Sequence, residues 1–266
     1  MQQFILIAII FFSICNAFAE NKPPADDHEP KEIKWPFEGV FGKFDRPAAQ
    51  RGYQVYREVC SACHSLKYVA FRNLKEIGFA EGEVKSIAAS YQVQDGPDDS
   101  GDMFERPALP SDYFVLPFAN KQAAMASNGG AYPPNLSLII KAEPDGPNYV
   151  YSILTGYQDP PEGFEVPPGS YYNLYHENQL IAMSPPLSEG LVSYQDGTEA
   201  TVEQMAFDVV NFLAWAAEPK MEQRKKTGLK VIIFLSIMTI LFIIIKKDIW
   251  RDLFHSTADQ EDEIKR

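Results

Sequence analysis

Cys60 and Cys63 stand three positions apart, and His64 follows at once. Two thiols at this spacing can each add to one vinyl group of a single porphyrin. The adjacent imidazole then lies under the macrocycle, within reach of the iron. The residues therefore have the pattern of a c-type heme attachment, C-x-x-C-H. Two other chemistries use the same side chains. A thioredoxin-like redox pair needs a βαβ setting, and the residues around Cys60 show none. A zinc site needs four ligands, and the chain has no second C-x-x-C and no H-x-x-x-H.

An iron held by one histidine needs a sixth ligand if it is to pass electrons without binding small molecules, and methionine or a second histidine is the usual choice. Downstream of the attachment pattern the methionines are Met103, Met125, Met183, Met205, Met221 and Met238. Met183 differs from the others because Ser184-Pro185-Pro186 follows it, and two prolines restrict the loop that would carry its sulfur. His176 is the rival and would make a bis-histidine site. Any of these methionines can also simply fill a core.

The elements that must position these groups are partly readable. Asp45-Arg46-Pro47 predicts a capped helix start, with the helix running to about Val59 and delivering Cys60 and Cys63 on the face that carries Gly52 and Tyr56. A short helix is expected from Glu81 through Ala89. An acidic surface loop is expected at 94–105, where Asp95, Asp98, Asp99, Asp102 and Glu105 sit among Gly and Pro. Helix-like segments follow at 136–141 and 149–157, and 159–175 is irregular. Thr201-Val202-Glu203-Gln204 reads as a capping box, and Met205, Val209, Phe212, Leu213 and Ala216 form the apolar face of the helix it opens, ended by Pro219. His28, in the polar lead-in 20–34, reads as a solvated residue.

The two ends carry apolar runs. Residues 1–19 read as a cleavable export signal that would take Cys15 with it, leaving Cys60 and Cys63 as the only thiols. The second run, Val231 to Ile245, covers only about 22 Å as a helix against a hydrocarbon core of about 30 Å. Lys230, Lys246 and Trp250 can extend it into the headgroup layer. The expected division is an exported body at 20–220, a linker at 221–227, a transmembrane anchor at 228–247 and a cytoplasmic tail at 248–266. The chain has 36 acidic against 24 basic side chains, a net charge of −12, and the excess lies in the body. That balance argues against nucleic acid and favours a basic partner.

With these residues in view, the sequence resembles the cytochrome c1 family, the heme subunits of quinol–cytochrome c reductase. The resemblance runs from Arg51-Gly52-Tyr53-Gln54-Val55-Tyr56 through Cys60–His64 to the terminal anchor. It includes Met103-Phe104-Glu105-Arg106-Pro107, Pro133-Pro134-Asn135-Leu136-Ser137, Met183-Ser184-Pro185-Pro186-Leu187 and Phe212–Pro219. It implies a mainly α fold: a cytochrome c-like helical heme domain with long loop insertions and one C-terminal transmembrane helix. It also implies one covalently attached heme c on Cys60 and Cys63, axial ligands His64 and Met183, and Arg106 paired with a heme propionate. The implied partners are cytochrome b, a Rieske iron–sulfur protein as electron donor and a cytochrome c as acceptor, in a dimeric complex. The expected location is the bacterial inner membrane, with the heme domain on the periplasmic side. A membrane-tethered cytochrome c of another chain and a heme-based gas-binding module are the competing functions.

Overall fold

The computed structural model describes residues 28–264; the expected export signal at 1–19, with Cys15, lies outside them. The described chain is mainly helical, with two small two-stranded sheets.

Its frame is the crossing of two helices. Helix α1, Arg46–Glu58, starts where the Asp45 carboxylate accepts the Ala48 N–H at 3.1 Å. It buries Ala48, Ala49, Gly52, Tyr53, Val55 and Tyr56 on one face. The helix stops at Glu58, so the cysteines do not ride on its continuation as expected. Cys60–Ala62 is a 3-10 turn instead, closed by the Cys63 and His64 N–H groups on the Cys60 carbonyl at 3.1 and 2.8 Å. A 3-10 turn repeats every three residues, which is the sequence spacing of the two thiols. The Ser61 hydroxyl donates to the Arg57 carbonyl, one of the acceptors orphaned where α1 ends.

After helix α2, Glu81–Ala89, the expected acidic loop turns out to be a hairpin. Strands β1, Gln92–Asp95, and β2, Phe104–Pro107, pair antiparallel with Val93 opposite Arg106. Asp98 shapes the tip by accepting the N–H groups of Ser100 and Asp102 at 2.8 and 3.0 Å. Helix α3, Lys121–Ser127, adds to the expected elements; Asn120 caps it on Ala123 at 2.9 Å. A 3-10 turn at Leu136–Leu138 leads into helix α4, Ile139–Ala142. Helix α5, Gly146–Thr155, begins earlier than expected because Pro147 sits in its first turn. The next stretch is irregular until β3, Tyr171–Tyr172, which pairs with β4, Leu180–Ile181.

Helix α6, Val202–Ala217, is the second half of the frame and packs on α1, α4 and α5. Thr201 caps it through the Gln204 N–H at 3.1 Å. Only half of the capping box forms, because the Gln204 amide donates to Asp208 at 3.0 Å instead of reaching back. Tyr53, Tyr56, Phe212 and Trp215 make the aromatic centre of the core, with Phe71 and Phe114 packed beside them.

Helix α7, Met221–Ile264, begins four positions after the end of α6 at Ala217. Residues 221–227, expected as a linker, are its first turns. Met221 is buried, Glu222 accepts the Phe44 N–H at 3.0 Å, and the Lys225 ammonium donates to the Phe37 carbonyl at 2.7 Å. These contacts fix the start of the helix to the body. Among the described residues it is the one helix long and apolar enough to cross a membrane, over Met221–Arg251. At 1.5 Å per residue those 31 residues extend about 46 Å, ample for a bilayer core of about 30 Å.

Candidate functional site

The 3-10 turn presents Cys60 and Cys63 as free, half-buried thiols. Burial pushes the Cys60 thiol up to about 12, and the neighbouring Cys63 adds to the effect. It therefore stays a neutral thiol at physiological pH. His64 lies at the end of the same turn and is held at two points. Its carbonyl accepts the Tyr56 hydroxyl at 3.1 Å, and its Nδ1 lies 2.9 Å from the Pro134 carbonyl. A carbonyl only accepts, so Nδ1 carries the proton and Nε2 keeps its lone pair. Burial also holds the imidazole below its usual pKa, against the opposing pull of Pro134, which preserves the neutral form.

Residues 135–137 hold the Pro134 carbonyl in place. Asn135 accepts the Ser137 N–H at 3.1 Å and the Ser137 hydroxyl at 2.8 Å, and the Leu136 N–H reaches back to the Ser65 carbonyl at 2.9 Å. The Pro133-Pro134-Asn135 turn thus clips the histidine loop to the 3-10 turn packed on α6. The sequence marks the turn through its prolines and capping Asn. The acceptor for His64 is a backbone carbonyl, which no residue type betrays.

Met183 is half-buried in the loop after β4. Its carbonyl accepts the Tyr157 hydroxyl at 3.0 Å. Burial pushes that phenol well above its ordinary value, so it remains a donor. Tyr157 is itself tied to Asn173 by a β-bridge, and the buried Asn173 amide donates to the Ile153 carbonyl at 2.8 Å. Through this chain α5 sets the height of the Met183 backbone. Sequence reasoning does not single out Tyr157 for this role, although it belongs to a Thr-Gly-Tyr stretch just past a helix end. Of the other methionines, Met205 and Met221 are packed in the core, and Met238 lies in the exposed apolar helix. His176 turns to its own neighbour, with Nδ1 3.2 Å from the Glu177 carbonyl.

Arg106 is braced by the chain's own carboxylates. Its Nε donates to Asp95, its Nη1 to Asp112 at 2.6 Å and to the Pro107 carbonyl at 3.1 Å, and its Nη2 to Asp112 at 3.2 Å. These bonds use four of its five N–H groups and leave one on Nη2. The fork thus ties the base of the acidic hairpin to the Asp112 turn.

The donor set fits a c-type heme. Two unpaired thiols stand in the C-x-x-C pattern of a heme attachment, and a neutral imidazole next to them has its distal nitrogen available. Among the described residues no group of three or more His, Cys, Asp or Glu could hold a bare metal ion.

The family model described as the cytochrome C1 family matches residues 35–253. Cytochrome c1 of Rhodospirillum rubrum is 48% identical over 237 residues, covering 83% of this chain and 87% of that protein. A mitochondrial cytochrome c1 heme protein of Arabidopsis thaliana is 49% identical over 209 residues, 79% of this chain and 68% of that protein. Cytochrome b/c1 of Bradyrhizobium diazoefficiens is 48% identical over 254 residues, which are 87% of this chain but 36% of that longer protein.

Proposed function

The chain belongs to the cytochrome c1 family, and from that premise we propose how its residues serve electron transfer. Members of the family carry a covalently attached heme c and act as the heme subunit of the cytochrome b–c1 complex. When bound, the heme supplies a one-electron iron couple. Cys60 and Cys63 would hold it through two thioethers. His64 Nε2 would ligate the iron on one side and the Met183 thioether on the other.

The observation that carries this reading is the bond between His64 Nδ1 and the Pro134 carbonyl, made directly after a turn with two free thiols. It selects the tautomer, orients the ring and raises the basicity of Nε2. The Tyr157–Met183 bond does the matching work opposite, holding the backbone of a weak, neutral ligand. The remaining Nη2–H of Arg106 is the donor this reading offers to a propionate.

The protein is membrane-anchored, with bacterial relatives and one long apolar C-terminal helix. The finer assignment has the body at 20–220 on the periplasmic side, the span at 228–247 and the tail at 248–266 in the cytoplasm, after removal of residues 1–19. Its electron donor is a Rieske iron–sulfur protein and its acceptor a cytochrome c, within a dimeric complex. Quinol chemistry belongs to cytochrome b, and this chain is the relay; the relative in which cytochrome b and c1 form one chain supports that neighbourhood.

Two measurements test the reading. Cys60→Ser should convert the doubly attached heme to a singly attached one, seen as a shift of the pyridine hemochrome band. An unshifted band rejects attachment at Cys60. Detergent purification of the wild-type chain should bring cytochrome b and a Rieske protein with it. Isolation of the heme protein alone from gently solubilised membranes counts against the relay assignment.

A further inference from the structure

Val40 and Phe41 form the most exposed apolar pair on the described body. Phe41 is 79% and Val40 66% exposed. Both ends of their loop are nonetheless firmly held. Upstream, Trp35 and Phe37 are buried and stacked on each other, and downstream Phe44 is buried. The turn between them is closed by the Lys43 N–H on the Pro36 carbonyl at 2.9 Å. The tip is therefore an apolar knob on a fixed base.

The base is fastened to the membrane helix. Lys225 donates to the carbonyls of Phe37 at 2.7 Å and Gly42 at 3.3 Å, the residues on either side of the tip. Glu222, one turn earlier on α7, accepts the Phe44 N–H and two bonds from Arg46. Lys225 lies only six positions before Val231, where the apolar run begins, a rise of about 9 Å along the helix. The headgroup layer on each side of a bilayer is about 5–8 Å thick. The base of the loop is thus clamped to α7 within a few ångström of the outer edge of that layer. Lys225 spends its ammonium on the loop carbonyls, while Lys226, the next residue, keeps a basic group at the same height.

We propose that Val40 and Phe41 are a second membrane contact: the tip inserts into the headgroup region of the same bilayer that α7 spans. An aromatic ring and a branched aliphatic side chain suit that layer. Two contacts on one side of the helix would fix the tilt and rotation of the heme body relative to the membrane, which a single helix leaves free. The occupant is lipid, because the loop is bound to the one element whose surroundings are lipid.

The inference rests on reading 228–247 within α7 as the span, so its test reports on both. Nitroxide labels are placed at Phe41→Cys, Leu109→Cys and Ile237→Cys in the full-length, heme-loaded chain in phosphatidylcholine–phosphatidylglycerol nanodiscs. Collision with oxygen, which concentrates in lipid, is compared with collision with an aqueous nickel chelate. Position 237 should be oxygen-dominated, position 109 chelate-dominated, and position 41 should show an oxygen-to-nickel ratio several-fold above that at 109. A ratio at 41 equal to that at 109, with 237 in lipid, overturns the loop contact alone. Chelate access at 237 overturns the span and the loop together. Shielding of 41 from both reagents points to polypeptide cover and also overturns the proposal. The wild-type melting temperature should be retained by Phe41→Ser, since this side chain supports no core packing.

Discussion

A β-carbon added to Gly52 would stand 1.9 Å from the backbone carbonyl oxygen of Asp208 and 2.8 Å from the Phe212 side chain. Helices α1 and α6 therefore touch backbone to backbone at this point, and the turn that carries both heme cysteines hangs from the end of α1. Neither backbone can yield without moving its helix. Gly52→Ala should destabilise the heme-loaded protein by about 3 kcal/mol or more, at the upper end for overpacked sites. Thermal melting followed in the Soret band measures this, and an unchanged melting temperature contradicts the crossing.

One residue away, the guanidinium of Arg51 clasps Asp208 through Nε and Nη2, each at 2.9 Å, and reaches Asp196 with Nη1. Asp208 is fully buried; burial pushes its carboxyl up, and Arg51 and Gln204 oppose that. Arg51→Met deprives the carboxylate of its charged partner and should cost about 3–5 kcal/mol. The double variant Arg51→Met, Asp208→Leu should recover most of the loss. Equal destabilisation in the single and double variants would show that packing of the Arg51 stem, rather than the ion pair, is what counts.

Met183 and Tyr157 form a testable pair because the phenol holds the backbone that presents the sulfur. Met183→Leu should leave the heme attached but lower the reduction potential sharply. Tyr157→Phe removes one hydrogen bond, worth about 1 kcal/mol. It should weaken the thioether-to-iron charge-transfer band and lower the potential by a smaller amount. A potential unmoved by Met183→Leu rejects that residue as ligand, and His176→Ala then becomes the variant to titrate.

Several of these relationships follow from residue types, and others do not. Asp45, Pro47, Thr201 and Pro219 announce their helix ends because each acts on its nearest backbone, and the helix starts lie beside them. The pattern at Cys60, Cys63 and His64 is equally local. The 3-10 turn beneath it reads as α-helix in the sequence because both repeats bring residues three apart to neighbouring positions. The hairpin at 92–107 is hidden by the Asp-rich tip, whose polarity masks two four-residue strands. The grips on His64 and Met183 are not legible. One acceptor is the Pro134 carbonyl, the other the Met183 carbonyl, and both partners lie far off in sequence. Asp208 carries a usable signal, an acid set within an apolar helix, but its partner Arg51 is 157 residues away.

The acidic hairpin tip offers a kinetic prediction. Asp98 and Asp102 lie in an exposed turn, while Asp95 is neutralised by Arg106 at its base. Charge reversal at Asp98, Asp99 and Asp102 should slow reduction of a basic cytochrome c at low ionic strength, with the difference fading as salt shortens the Debye length from about 30 Å at 0.01 M to about 10 Å at 0.1 M. Stopped-flow rates identical to wild type at low salt would place the docking face elsewhere on the body.

The junction between the body and its membrane helix should respond to acid in a defined window. Glu218, just past the end of α6, accepts bonds from Arg224 in α7 and from Lys141 in α4 at 2.9 Å, so one carboxylate ties three helices. The Arg224 bond, and then Lys141, draw its carboxyl down from the ordinary 4.5 to about 2, with partial burial opposing them. A depressed folded-state value means the charged form is favoured by folding. The stabilisation is therefore complete above pH 4.5 and is lost as the pH falls toward 2. Glu218 remains partly solvated, so the contribution is on the order of 1–2 kcal/mol rather than the full shift. Glu218→Gln should thus melt below wild type at neutral pH, and the gap should narrow below pH 4.5 and close as the pH approaches about 2. A gap that stays constant across that range would assign the residue a packing role and leave the attachment of α7 to Glu222, Lys225 and the buried Met221.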